Sequence, residues 1–184
     1  MTPSITGISL VLGFVALCGV MTLPAARGNS ESQSQQARPI GPTEVALPAT
    51  HFGDWAGPNR LWTVDPNAPV RSDGTASVEA KTVRYSWSRG EDMHEGVLVL
   101  AGQPGALSIT WQDTFHSKEP MTLNGFQHEG VVRVFGTYPS AEGQPDWGWQ
   151  IELDTRDREA FVMRMFNVVP GIGPMPAVVL HGTR

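Results

Sequence analysis

The chain has 184 residues, 40% of them apolar, with six tryptophans and seven phenylalanines and a net charge of −5. That is room for one domain plus an N-terminal extension, with ample apolar material for a core. The acidic balance argues against nucleic acid or anionic lipid as the main partner, because the arginines are scattered and form no basic stripe.

Residues 5–26 carry no charge and read ITGISLVLGFVALCGVMTLPAA. Residues 1–26 therefore resemble a secretory signal, with small-residue cleavage sites at Leu23-Pro24-Ala25 or Pro24-Ala25-Ala26. Two alternatives stay open. The run is long enough to span a bilayer as an uncleaved anchor, and Val15-Ala16-Leu17-Cys18 loosely resembles a lipobox with Cys18 as the lipidated residue. All three place the domain outside the cytoplasm, periplasmic or secreted, with membrane contact only through this segment. Cys18 is the sole cysteine, so a processed domain has no disulfide and no cysteine chemistry. Residues 27–50, rich in Ser, Gln and Pro, read as a flexible tether that touches the domain near Val45 and Leu47.

From residue 51 onward, extended runs alternate with Gly, Pro, Asp and Ser punctuation. The first strand region is 55–64, broken or bulged at Gly57-Pro58, and 65–74 is a turn-rich connection. Residues 76–87 read as one long strand whose apolar phase switches at a bulge near Lys81-Thr82. A short strand at 97–101 turns at 102–105 into the alternating run Leu107, Ile109, Trp111, Asp113. After a loop at 116–120, strands 121–127 and 131–138 form a hairpin across Glu129-Gly130.

The clearest pattern spans 146–170, DWGWQIELDTRDREAFVMRMFNVVP. Trp147, Trp149, Ile151 and Leu153 alternate with polar residues at strict period two, and 160–169 returns after a short polar turn. A long antiparallel hairpin follows from that pattern. Residues 171–176 read as a loop and 177–181 as the last strand. No segment shows a helical period. Nine or ten antiparallel strands in sequence order predict a mainly β chain, a single up-and-down barrel over 51–184, since closure removes both sheet edges.

Gly53-Asp54-Trp55-Ala56-Gly57 fits the G-x-W opening strand of calycin-type barrels. Together with Leu61-Trp62, Asp65-Pro66, Trp111-Gln112-Asp113 and Gly136-Thr137-Tyr138-Pro139, the pattern resembles a bacterial lipocalin-like family of unknown function. The resemblance implies a ten-stranded barrel with a small internal cavity. It also implies that the first-strand Trp55 packs beneath Arg184 from the end of the last strand. The opening motif is similar to that of nitrobindin-type haem barrels as well, which implies haem as an alternative cofactor with His181 as its axial ligand.

The histidines at 51, 94, 116, 128 and 181 are dispersed without metal-ligand spacing, and no cofactor or metal is otherwise expected. Asp113 and His116 can meet within one loop but lack a third ligand. There is no G-x-S-x-G elbow and no phosphate-binding glycine loop. Arg164 interrupts the apolar run 161–166. It either points outward, with its stem over apolar neighbours, or anchors an anion in the lumen, with Trp87, Trp111 and Tyr138 as walls. The expected function is non-catalytic binding of a small apolar or amphipathic molecule in the barrel. The competing readings are a haem protein or enzyme using His181, His116 or Arg164, and a barrel filled by side chains that acts through its surface.

Overall fold

The computed structural model describes residues 44–184 except Val64, Pro66, Lys118 and Ala141. The leader, Cys18 and most of the tether lie outside the described residues. Ten strands form a closed barrel: β1 (Gly53–Leu61), β2 (Val70–Val78), β3 (Thr82–Arg89), β4 (Asp92–Gln103), β5 (Ala106–Asp113), β6 (Met121–His128), β7 (Val131–Tyr138), β8 (Trp147–Asp154), β9 (Ala160–Val169) and β10 (Gly173–Thr183). Every neighbouring pair is antiparallel, and β1 closes the ring against β10. Apart from one 3-10 turn at Ala49–His51, the described residues contain no helix.

Period-two alternation sorts each strand into a lumen face and an outer face. On β9, Phe161, Met163 and Met165 are fully buried, while Val162, Arg164 and Phe166 lie outside. On β8, Trp149, Ile151 and Leu153 point in. The β6–β7 turn forms across Glu129 and Gly130 with φ of 46° and 77°, the left-handed pair that a two-residue hairpin requires.

Four local expectations change. The phase switch at 79–81 is a tight turn between β2 and β3, not a bulge within one long strand. Residues 70–74, expected as connection, open β2. Gly173 to Pro176, expected as loop, begin β10, with a register irregularity between Pro176 and Val178. Finally, β1 runs unbroken through Gly57-Pro58 and pairs fully with β2. The proline is tolerated because the β1–β10 ladder has no partner at Gly57 or Pro58, so its missing N–H costs no bond there. A side chain at Gly57 would overlap the His181 carbonyl oxygen, which explains the second glycine of the opening motif.

The two barrel ends differ. At the floor, the chain N-terminal to β1 crosses the opening. Val45 and Leu47 are buried, and their N–H groups donate to the carbonyls of Gly102 (3.0 Å) and Ala80 (2.7 Å). Burying two such side chains contributes about 1.5–3 kcal/mol each. The tether therefore joins the domain before residue 50, and the folded unit includes these residues. The mouth is formed by the connections at 62–69, 90–91, 114–120, 139–146 and 170–172.

Candidate functional site

Strands β3, β5 and β8 each place a tryptophan in the lumen at the third residue from the mouth: Trp87, Trp111 and Trp149. Trp111 and Trp149 stack, with ring centroids 5.1 Å apart and planes at 22°. The loop after β5 folds inward over them. It carries Phe115 against Trp87 at 5.1 Å and His116 against Trp149 at 4.9 Å, with His116 also 6.2 Å from both Trp87 and Trp111. Tyr138, half-buried at the rim, lies 6.5 Å from Trp149 and donates to Asn167 Oδ1. Burial raises the Tyr138 phenol above its usual value.

Beneath this box runs a buried polar chain. Trp111 Nε1 donates to Tyr85 Oη at 2.9 Å, and Tyr85 Oη donates to Asp113 Oδ2 at 3.1 Å. His116 Nδ1 lies 2.8 Å from the same carboxylate oxygen, while Oδ1 accepts from the N–H groups of Phe115, His116 and Ser117. Gly96 makes the chain possible: a side chain there would overlap the Tyr85 ring, which leans across β4 to reach Asp113 on β5. Burial acts to raise the Asp113 pKa. The hydrogen bond and charge of His116 and the backbone donors outweigh it, holding the carboxyl below its ordinary value. Burial, then the Asp113 charge, push Tyr85 well above the ordinary phenol range. An ionised carboxylate can only accept, so the His116 nitrogen facing it, Nδ1, carries a proton.

Three buried side-chain atoms here have no hydrogen-bond partner: Trp87 Nε1, Trp149 Nε1 and Asn59 Oδ1. Asn59 faces the lumen from β1, and its amide reaches Ser72 Oγ at 3.4 Å. Such atoms are rare in folded proteins because each forfeits its hydration without compensation.

Of the residues singled out from the sequence, Trp87, Trp111 and Tyr138 share this end of the lumen. Arg164 does not join them. It sits on the outer wall, 3.4 Å from Asp154 and 4.0 Å from Glu152, because inward Met163 and Met165 flank it and put its own side chain outside. His181 likewise lies exposed on the outer face of β10, in a shallow concavity with Arg60, Val162 and Arg164. His181 thus lies on the outer wall beside two arginines, apart from the aromatic end of the lumen. Trp55 and Arg184 meet at the floor, the guanidinium carbon 4.3 Å from the ring centroid. Sequence reasoning passed over Trp149, Tyr85 and Asn59. Trp149 was visible as an inward position of the 146–170 hairpin, whereas nothing local marked Asn59 as facing the lumen.

A groove of about 650 Å³ crosses β2 to β5, lined by Thr75, Arg84, Glu95 and Thr114 together with Tyr85, Gly96 and Asp113 of the buried chain. Among the described residues no group of three or more His, Cys, Asp or Glu is placed to hold a metal ion. No protein-family model matches the chain, and no curated protein is significantly similar to it.

Proposed function

We propose that the protein is a non-catalytic carrier or sensor whose barrel binds a small apolar or amphipathic molecule at the mouth. The observation that carries this reading is the pair of buried, unpartnered indole N–H groups of Trp87 and Trp149 within an aromatic-lined end of the lumen. Ligand sites combine apolar walls with a few polar groups that set orientation, and this end of the barrel has both. A barrel of about eight strands already has an interior that side chains fill or that holds one small ligand. Ten strands enclose more, and here the added width is taken up by tryptophans and by a loop folded in from the rim.

The ligand is tested by native mass spectrometry of the protein purified from its own host without denaturation. The expected result is a non-covalent adduct of small mass that is lost on unfolding. Bare protein mass, together with no binding of any apolar probe, would sink the reading. Export belongs to the same proposal and rests on residues 1–26. N-terminal sequencing of the mature protein should begin just after Ala25 or Ala26, and a start at Met1 would favour an uncleaved anchor.

A further inference from the structure

We infer that His116 is a displaceable plug standing in for the ligand, and that the ligand is a flat aromatic molecule carrying an oxygen acceptor, such as an aryl carboxylate. The inference rests on the mouth being a small-molecule site and names what that site takes.

The walls set the ring. A box of Trp87, Trp111, Trp149 and Phe115 holds the imidazole of His116 with ring centroids 4.7–6.2 Å away. Offset and edge-to-face packing of this kind favours flat π-systems over an alkyl chain, which gains area but no ring geometry. The orphaned atoms set the head group. Trp87 Nε1 and Trp149 Nε1 are donors, and an indole nitrogen cannot accept, so their missing partner is an acceptor such as a carboxylate or carbonyl oxygen. Both are shielded from solvent, so an incoming oxygen reaches them only when a covering ring moves.

His94 at 4.5 Å and Phe115 at 5.1 Å also cover Trp87, and against Trp149 the loop-borne ring is His116, 4.9 Å away. Its side chain keeps 16% exposure, whereas Trp87, Trp111 and Trp149 are each 2% exposed or less. It also sits on a loop rather than a strand, so it can swing out without breaking the barrel ladder. The carboxylate of Asp113 accepts from three loop N–H groups that hold the loop root in place, and the departing ring gives up its 2.8 Å contact with Oδ2, which the ligand must offset.

The test is isothermal titration calorimetry of the full chain with trans-cinnamate, decanoate and decan-1-ol. Cinnamate should bind about tenfold more tightly than decanoate, and decanol should bind more weakly still. Trp87→Phe and Trp149→Phe each remove one donor and keep the wall, so each should weaken cinnamate about 3- to 10-fold. His116→Ala should tighten it about tenfold, because the competing plug is gone. Decanoate and decanol binding as well as cinnamate overturns the inference while leaving the small-molecule site standing. No binding of any of the three overturns both. Weaker cinnamate binding in His116→Ala shows that His116 is a contact rather than a plug, and equally overturns the inference. The three-probe comparison on the unaltered chain decides the matter even where a variant fails to fold.

Discussion

The guanidinium of Arg184 lies over the indole of Trp55, 4.3 Å from the ring centroid, and donates to the carbonyls of Thr50 and Phe52. One residue from each end of the domain thus closes the floor. Trp55 Nε1 donates to the His51 carbonyl at 2.8 Å, and the His51 ring stacks on the indole from the 3-10 turn, 5.4 Å away. Arg184 therefore pins the turn that leads into β1 as well as covering the ring. Trp55→Ala should cost about 3–5 kcal/mol, as large-to-small core changes do, and Arg184→Ala about 1–2 kcal/mol through the cation–π contact and two hydrogen bonds. Urea unfolding of the double mutant should lose about 0.5–2 kcal/mol less than the sum of the singles. Additive losses would mean that the contact carries no energy.

Gly57 is required by its neighbour strand rather than by backbone conformation. A Cβ there would overlap the His181 carbonyl oxygen, which is backbone and cannot rotate aside. Gly57→Ala should cost about 1–3 kcal/mol, as overpacking does. Gly105 has nothing within 4 Å of a built Cβ, so Gly105→Ala should stay within about 0.5 kcal/mol. Urea midpoints of the pair check this, and equal midpoints would refute the close-approach account.

Strand positions were legible wherever one face is buried and the other wet. The 146–170 hairpin and the Glu129-Gly130 turn read directly, because alternation and turn chemistry act over a few residues. The signal failed where both faces carry mixed polarity. Residues 70–74 (VRSDG) look like a turn, yet they form β2 because β1 supplies a backbone partner for each of them, with β3 joining only at Gly74. Arg164 was ambiguous because a single charge in an apolar run has the same sequence on either face. The register with Glu152 decides it. The Tyr85–Asp113–His116 chain was half visible: Asp113 and His116 are three apart. Tyr85 arrives from another strand, across a glycine that read only as spacing.

Haem binding through His181 is testable directly. The residue is exposed on the outer wall beside Arg60 and Arg164. Haemin added to the purified protein should give no Soret band that His181→Ala removes. A sharp Soret band lost in that variant would show that the outer wall rearranges to hold the macrocycle.

Arg164 contributes to an ion-pair row on the outer wall, where Arg133 reaches Glu152 at 2.8 Å and Arg164 approaches Glu152 and Asp154. With a third of its side chain exposed, such pairing is worth little. Arg164→Met should change stability by less than about 1 kcal/mol and leave the affinity of any lumen ligand unchanged. A calorimetric loss of affinity would return Arg164 to the site.

Acid should destabilise the fold in part through Asp113. Its native pKa is depressed, burial notwithstanding, by His116 and the loop N–H groups, so folding holds it ionised more firmly than the unfolded chain does. The contribution is complete above the unfolded value near about pH 4 and disappears as pH falls through the lower native value. Asp154 is also depressed, chiefly by the hydrogen bond from Arg156 and, after opposing desolvation, by Arg164. That pair lies on the outer wall, and solvent screening reduces its share. Asp113→Asn replaces the carboxylate that faces Tyr85 Oη, His116 Nδ1 and three backbone donors, so it should cost about 3 kcal/mol at neutral pH. Thermal unfolding of wild type and variant should converge as the buffer is taken from pH 6 towards pH 3, because wild type alone loses the ionised Asp113. A gap that stays constant across that range would mean that the Asp113 charge does not stabilise the mouth loop.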